Sequence, residues 1–304
     1  MRNRASTLFL TPLILLTFVT AAEAQPHPRA VEYALGPDSL PQEGVPAGRL
    51  EGPYLFRSEH IPGTIRKYWV YVPVQYQPDD PAAVLVFQDG QRATNPNGVL
   101  RVQHVLDNLI HKKEMPVTIG IFITPGQRGE EYPDSLGFRN PNNRANEYDT
   151  LGDAYARFVV DEMLPEVEKR YNLTIDPEGR AIGGASSGAI AAFTVAWERP
   201  DAFRKVISLI GSFTDIRGGH VYPDLVRNSE PKPIRIFIQD GIHDNRNPDS
   251  PNRDWYLQNL KMIEALRDRG YDLNVAIGAG VHADSHGGAI LPNVMRWLWR
   301  DYPK

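Results

Sequence analysis

The 304-residue chain contains no cysteine. That absence excludes disulfides, a thiolate nucleophile and every cysteine-ligated metal site, so packing and hydrogen bonds alone must hold the fold. Blocks of like charge are missing as well: 33 Lys and Arg against 37 Asp and Glu give a formal net charge of −4. Without a basic stripe there is no electrostatic footprint for nucleic acid. Long apolar runs are confined to the extreme N-terminus, and no later stretch approaches the roughly 20 apolar residues that span a bilayer. Short ligand pairs such as H-E-x-x-H do not occur, and the acidic stretch from Asp244 to Asn252 lacks the glycine and terminal glutamate of an EF-hand loop. A mixed site built from His243, Asp244, His282 and His286 has no supporting ligand spacing. No metal and no cofactor is expected.

What is present begins with a targeting segment. Arg2 and Arg4 precede an apolar run from Leu8 to Val19, and Ala22-Glu23-Ala24 supplies small residues ahead of Gln25. Residues 1–24 therefore read as a signal peptide, with a mature terminus at Gln25 and an exported chain that leaves the membrane after cleavage. Pro12 disfavours a long uninterrupted anchor helix. Residues 25–53, dense in proline and glycine, read as an extended lead-in. Residues 54–304 are long enough for a single large α/β domain.

Within that domain, apolar runs and helical periodicities alternate. Ile65 to Val72, Ala83 to Phe87, Val117 to Ile123, Val206 to Ile210, Ile234 to Ile238 and Leu273 to Ile277 read as strands. Val99 to Ile110, Leu151 to Arg170, Trp255 to Arg269 and Ile290 to Trp299 read as helices, the second interrupted at Pro165. The result is a mostly parallel central sheet with helices on both faces. The stretch from Thr124 to Tyr148, rich in Pro, Gly, Asn and Arg, reads as a substrate-facing loop.

Chemistry concentrates at Gly184-Ala185-Ser186-Ser187-Gly188, a G-x-S-x-G motif between the short strand Arg180 to Gly183 and a small-residue helix that ends near Pro200. Such an elbow exposes a serine on a strained turn, and its flanking small residues let strand and helix pass closely. Ser186 is the candidate nucleophile. A serine hydroxyl needs a base, and the base needs an orienting carboxylate, in the chain order Ser, Asp or Glu, His. Asp244 follows the strand ending at Ile238 and is the preferred acid, with Asp249 behind it; Asp240 reads as a turn residue. After the next strand come His282, the preferred base, and His286, the alternative. The oxyanion hole is expected from the Ser187 N–H and one of the amides of Asp89, Gly90 or Gln91, after the strand that ends at Phe87.

In these features the chain resembles the bacterial esterases that include enterochelin esterase-like proteins, feruloyl and acetylxylan esterases, esterase D and the mycolyltransferases. The likeness rests on Arg66-Lys67-Tyr68 to Val72-Pro73, Phe87-Gln88-Asp89-Gly90, Asn143 to Asp149, the Gly184 to Gly188 elbow, Gln239-Asp240-Gly241 with Asp244, and His282 through Trp299. It implies an α/β-hydrolase fold without a lid, with Ser186, Asp244 and His282 as nucleophile, acid and base. Gly278-Ala279-Gly280-Val281-His282 replaces the commoner Gly-Gly-His, which keeps His286 as alternative base. Arg144 and Glu147, in an R-x-x-E-Y pattern, become substrate-loop candidates, although an ion pair pinning the long loop accounts for them more simply. The implied partner is a small-molecule or carbohydrate ester, first of all a feruloyl or acetyl ester, then a siderophore ester. An acyltransferase on the same scaffold and a catalytically silent binding module are the other readings.

Overall fold

A computed structural model describes residues 31–134, 136 and 141–304. The signal segment lies outside the described residues, as does the start of the lead-in. Nine strands, β1 (Arg49–Arg57), β2 (Thr64–Val72), β3 (Ala83–Gln88), β4 (Thr118–Ile123), β5 (Gln127–Arg128), β6 (Arg180–Ala185), β7 (Lys205–Leu209), β8 (Arg235–His243) and β9 (Asp272–Val281), form one sheet among the described residues. Its order is β1-β2-β4-β3-β6-β7-β8-β9, with β5 paired to β2. The pairings from β4 through β9 are parallel, and β1, β2 and β5 add an antiparallel edge.

Apolar residues run without a break through β3 because both of its faces are covered. Val84 and Val86 face one core and Leu85 and Phe87 the other. The first core takes α6 (Ser187–Glu198), whose Ile190, Phe193 and Val195 are fully buried. The second takes α2 (Val102–His111) and α9 (Asp284–Leu298), through Val105, Leu109, Leu291 and Met295.

Several boundaries differ from those expected. The lead-in ends at residue 48, because β1 begins at Arg49 and pairs with Val72. Its described part is docked rather than free: Asp38 pairs with Lys112 and Arg296, and the Asn108 side chain donates to the carbonyls of Asp38 and Leu40 at 3.0 and 2.8 Å. Pro165 does not interrupt the helical stretch. Between α4 (Ala154–Arg157) and α5 (Leu164–Glu168) the chain widens into a π-helix over Phe158–Met163, where Leu164 N–H bonds Val159 O, and so it passes the residue that offers no N–H. β8 and β9 run past their apolar cores. Asp240 and Gly241 lie inside β8 rather than in a turn, and Gly278 to Gly280 lie inside β9. The last helix starts at Asp284, so His286 stands in its first turn. The long loop contains β5 and α3 (Arg144–Tyr148).

Candidate active site

The parallel strands end on one side of the sheet, and there the sheet delivers Asp89 after β3, Ser186 after β6, Asp244 after β8 and His282 after β9. Ser186 caps α6 in a strained conformation, φ 57° and ψ −124°. The turn is possible because its flanks are bare: a Cβ on Gly184 would sit 2.5 Å from the backbone of Gly188, and one on Gly188 would sit 3.0 Å from Gln88 Cβ.

Ser186 Oγ lies 2.8 Å from His282 Nε2, and His282 Nδ1 lies 2.6 Å from Asp244 Oδ1. Asp244 is fully buried, and its Oδ1 also accepts the Asn245 N–H at 2.6 Å. With Nδ1–H donated to Asp244, Nε2 is the free acceptor for the serine proton. Ser212 Oγ stands 3.2 Å from Ser186 Oγ and accepts Trp255 Nε1–H at 2.9 Å, which leaves the Ser212 proton available to the Ser186 oxygen. Trp255 also packs edge-on against the His282 ring, centroids 5.8 Å apart.

His286 is held elsewhere. Its Nδ1 meets Gln239 Nε2 at 3.1 Å and its ring stacks on Tyr33 at 4.4 Å. Burial lowers its pKa below the ordinary histidine value. His243 and Asp249 are exposed. Among the described residues no group of three or more His, Asp or Glu side chains is arranged to hold a metal ion.

Asp89 has left-handed backbone angles, φ 53° and ψ 52°, at the start of α1 (Gly90–Ala93). Its N–H donates to Tyr148 Oη at 3.3 Å. Arg144 grips the Asp89 carboxylate with two bonds, 2.9 and 2.7 Å, and thereby ties α3 to this turn. The cleft above Ser186 has a volume of about 830 Å³ and is lined by Gln91, Pro141, Ile210, Ile216, Trp255 and Asp149 among others. Asp149 is almost fully buried, and desolvation raises its pKa to about 6 against the opposing pull of Ser187 and Arg144.

The Esterase family model, described as "Putative esterase", matches residues 58–285, well over half of the chain. The chain belongs to the Esterase family. This esterase is a carboxylic ester hydrolase, and it is 22% identical over 247 residues to the uncharacterized protein YbbA of Bacillus subtilis (strain 168), covering 80% of this chain and 95% of that protein. It is 25% identical over 129 residues to the endo-1,4-beta-xylanase/feruloyl esterase of Xylanibacter ruminicola, covering 42% of this chain and 15% of that protein. Among solved structures it is similar to the enterobactin esterase of Shigella flexneri, with a TM-score of 0.67, 19% identity and coverage of 88% of this chain but 63% of that one. The ferulic acid esterase AmCE1/Fae1A of Anaeromyces mucronatus gives a TM-score of 0.67 at 17% identity, covering 88% and 97%. The esterase thus spans less than two thirds of the enterobactin esterase. These likenesses show the fold, an α/β-hydrolase. Among the described residues no helix is long and apolar enough to cross a membrane.

Arg144 and Glu147 do not pair with each other. While Arg144 holds Asp89, Glu147 takes Arg66 in two bonds of 2.9 and 3.1 Å and accepts Gly126 N–H at 2.9 Å and Asn143 Nδ2 at 2.8 Å. Both side chains of the Arg66–Glu147 pair are buried, and the guanidinium lies 4.0 Å from the Phe158 ring centre. Glu147→Ala strands the Arg66 charge in the interior, so the esterase is expected to lose about 3–5 kcal/mol of stability. Urea denaturation measures it, and a loss below about 1 kcal/mol would show that the pair carries no such role. Reading the sequence missed Ser212, Trp255 and Asp149. Ser212 sits in Gly211-Ser212-Phe213, which matches no motif, and Trp255 reads only as the first residue of a helix.

Proposed function

We propose that the protein is an exported serine esterase that works through Ser186, His282 and Asp244 and a covalent acyl-enzyme, with acylated carbohydrate as its substrate class. The observation that carries this reading is the unbroken line from Ser186 Oγ through the His282 ring to the buried Asp244 carboxylate, with steps of 2.8 and 2.6 Å. Ser186 attacks the ester carbonyl while its proton moves to His282 Nε2, and Asp244 stabilises the imidazolium that forms. The negative charge on the carbonyl oxygen meets the N–H of Ser187 and that of Gly90 or Gln91. His282 then gives its proton to the leaving alcohol. Water repeats the sequence on the acyl-enzyme and releases the acid.

The cleft supports a bulky ester. Its volume of about 830 Å³ falls in the range of small-molecule sites, and Trp255, Ile210, Ile216 and Pro141 offer an apolar wall to an acyl group while Gln91 and Asp149 offer polar contacts to hydroxyls. The feruloyl and ferulic acid esterases among the similar proteins favour the same class. Export is supported by the Arg2 to Ala24 segment.

The test is a panel of short aryl esters, feruloylated and acetylated oligosaccharides and a catecholate siderophore ester, run with and without an added alcohol. The highest kcat/KM is expected on a feruloylated or acetylated oligosaccharide, with the free acid as product. A preference for the siderophore ester would move the substrate class, and acyl transfer outrunning hydrolysis would make the protein a transferase. No turnover of any ester would overturn the reading in favour of a binding scaffold. N-terminal sequencing of secreted protein checks export, with Gln25 expected first.

A further inference from the structure

Behind His282 the interior holds an unbalanced set of acceptors. Asp240 is 0% exposed, within β8. Its Oδ1 accepts the Gly241 N–H at 2.8 Å, but its Oδ2 is buried with no donor. Asp244, also 0% exposed, is in the same state: Oδ1 serves His282 and Asn245, and Oδ2 has no donor. The two carboxyls lie within hydrogen-bonding reach of each other. Asn259, on α8 (Trp255–Asp268), approaches Asp240 and offsets part of its burial, but its amide protons go to the carbonyls of Gly211 and Trp255 at 2.8 and 3.0 Å, and its own Oδ1 is one more buried acceptor without a protein donor.

Two buried carboxylates facing each other without a protein donor repel, and burial penalises the charge on each. One proton removes both costs. We propose that Asp240 is a positioning residue held in its protonated form, donating a hydrogen bond to Asp244 Oδ2 so that the two carboxyls share one proton behind His282. Asp244 then presents its charge through Oδ1 toward the imidazole, with its orientation fixed from the far side. This rests on the esterase reading above for the roles of Asp244 and His282.

The surroundings agree. Burial, and after it the bond and charge of Asp244, push Asp240 up to about 9. The charged or titratable groups that meet it are Asp244, from the exit of its own strand, and His286 from α9, which faces the Asp240 backbone. α8 contributes the uncharged Asn259. Since the raised value lies above neutrality, the proton stays bound at pH 7.5 and leaves only as pH climbs through about 9.

Infrared spectroscopy of the full mature chain at pH 7.5 tests this independently of any substrate. A protonated-carboxyl stretch that shifts in ²H₂O is expected in the wild type and is expected to vanish in Asp240→Asn. No such band in the wild type, or its survival in Asp240→Asn, overturns the proposal even if ester hydrolysis proceeds; a band that behaves as expected in a protein that cleaves no ester would instead indict the esterase reading. Kinetics supply the second arm. Asp240→Leu is expected to lower kcat by about ten- to a hundredfold with KM little changed, because Asp244 loses its donor. Asp240→Asn, whose amide donates at every pH, is expected to recover most of that loss and to lack the decline in kcat/KM above pH ~9 that is expected of the wild type. Equal kcat in Asp240→Leu and the wild type, or the same alkaline decline in Asp240→Asn, would also overturn it.

Discussion

Ser186→Ala is expected to lower kcat for ester hydrolysis by about a millionfold while leaving the protein folded, because a triad acts as a unit and loses nearly all of its effect with its nucleophile. Alanine keeps the Cβ, so the cost of the φ 57° turn is unchanged, and among the described residues the polar contacts surrendered are those to His282 and Ser212. Ser187→Ala is the control. Its backbone N–H, the atom proposed for the oxyanion hole, survives the substitution, while its hydroxyl lies within reach of the buried Asp149. Activity within about tenfold of wild type is expected for Ser187→Ala, with Asp149 less well satisfied as the source of the loss. Steady-state turnover of one aryl ester by both variants, with circular dichroism to confirm folding, decides it. Comparable losses in the two would remove the assignment of Ser186 as nucleophile.

The elbow turn and the chain order of the strand ends that carry Ser186, Asp244 and His282 were legible because they depend on local chemistry. A strained turn needs Gly184 and Gly188, and a parallel strand covered on both faces must be apolar throughout, as Ala83 to Phe87 is. Pairings across the chain were not legible. Arg66 sits in a strand beside Lys67, and nothing local names its partner until the fold brings Glu147 to it from 81 residues away. The same holds for Arg144 and Asp89, 55 residues apart.

The ends of β8 and β9 were misread for a related reason. Asp240, Gly241 and Gly278 to Gly280 carry no hydrophobic signal and look like turns, yet Gly241 is paired with Gly278 in the parallel ladder. The close approach needs glycine, since a Cβ on Gly241 would meet Gly280 O at 2.3 Å. That extension carries Asp240 into the interior beside Asp244. Tyr33 was missed because nothing in a proline-rich lead-in announces that an aromatic ring will stack on His286.

The two histidines separate on what surrounds each ring. His282→Ala is expected to abolish the burst of alcohol release from a reactive aryl ester, because no other ring nitrogen lies against both Ser186 Oγ and Asp244 among the described residues. The same change leaves Oδ1 of the buried Asp244 with Asn245 N–H as its remaining donor, so a fall in stability is expected alongside the loss of acylation. His286→Ala removes a stack on Tyr33 and a contact with Gln239, neither of which touches the reacting atoms. Its burst is expected to persist, with turnover reduced through the shift of α9, whose first turn follows His282 directly. Stopped-flow measurement of the burst amplitude on folded variants distinguishes them. A normal burst from His282→Ala together with none from His286→Ala would transfer the role of base to His286, and the line of hydrogen bonds through His282 would then be structural.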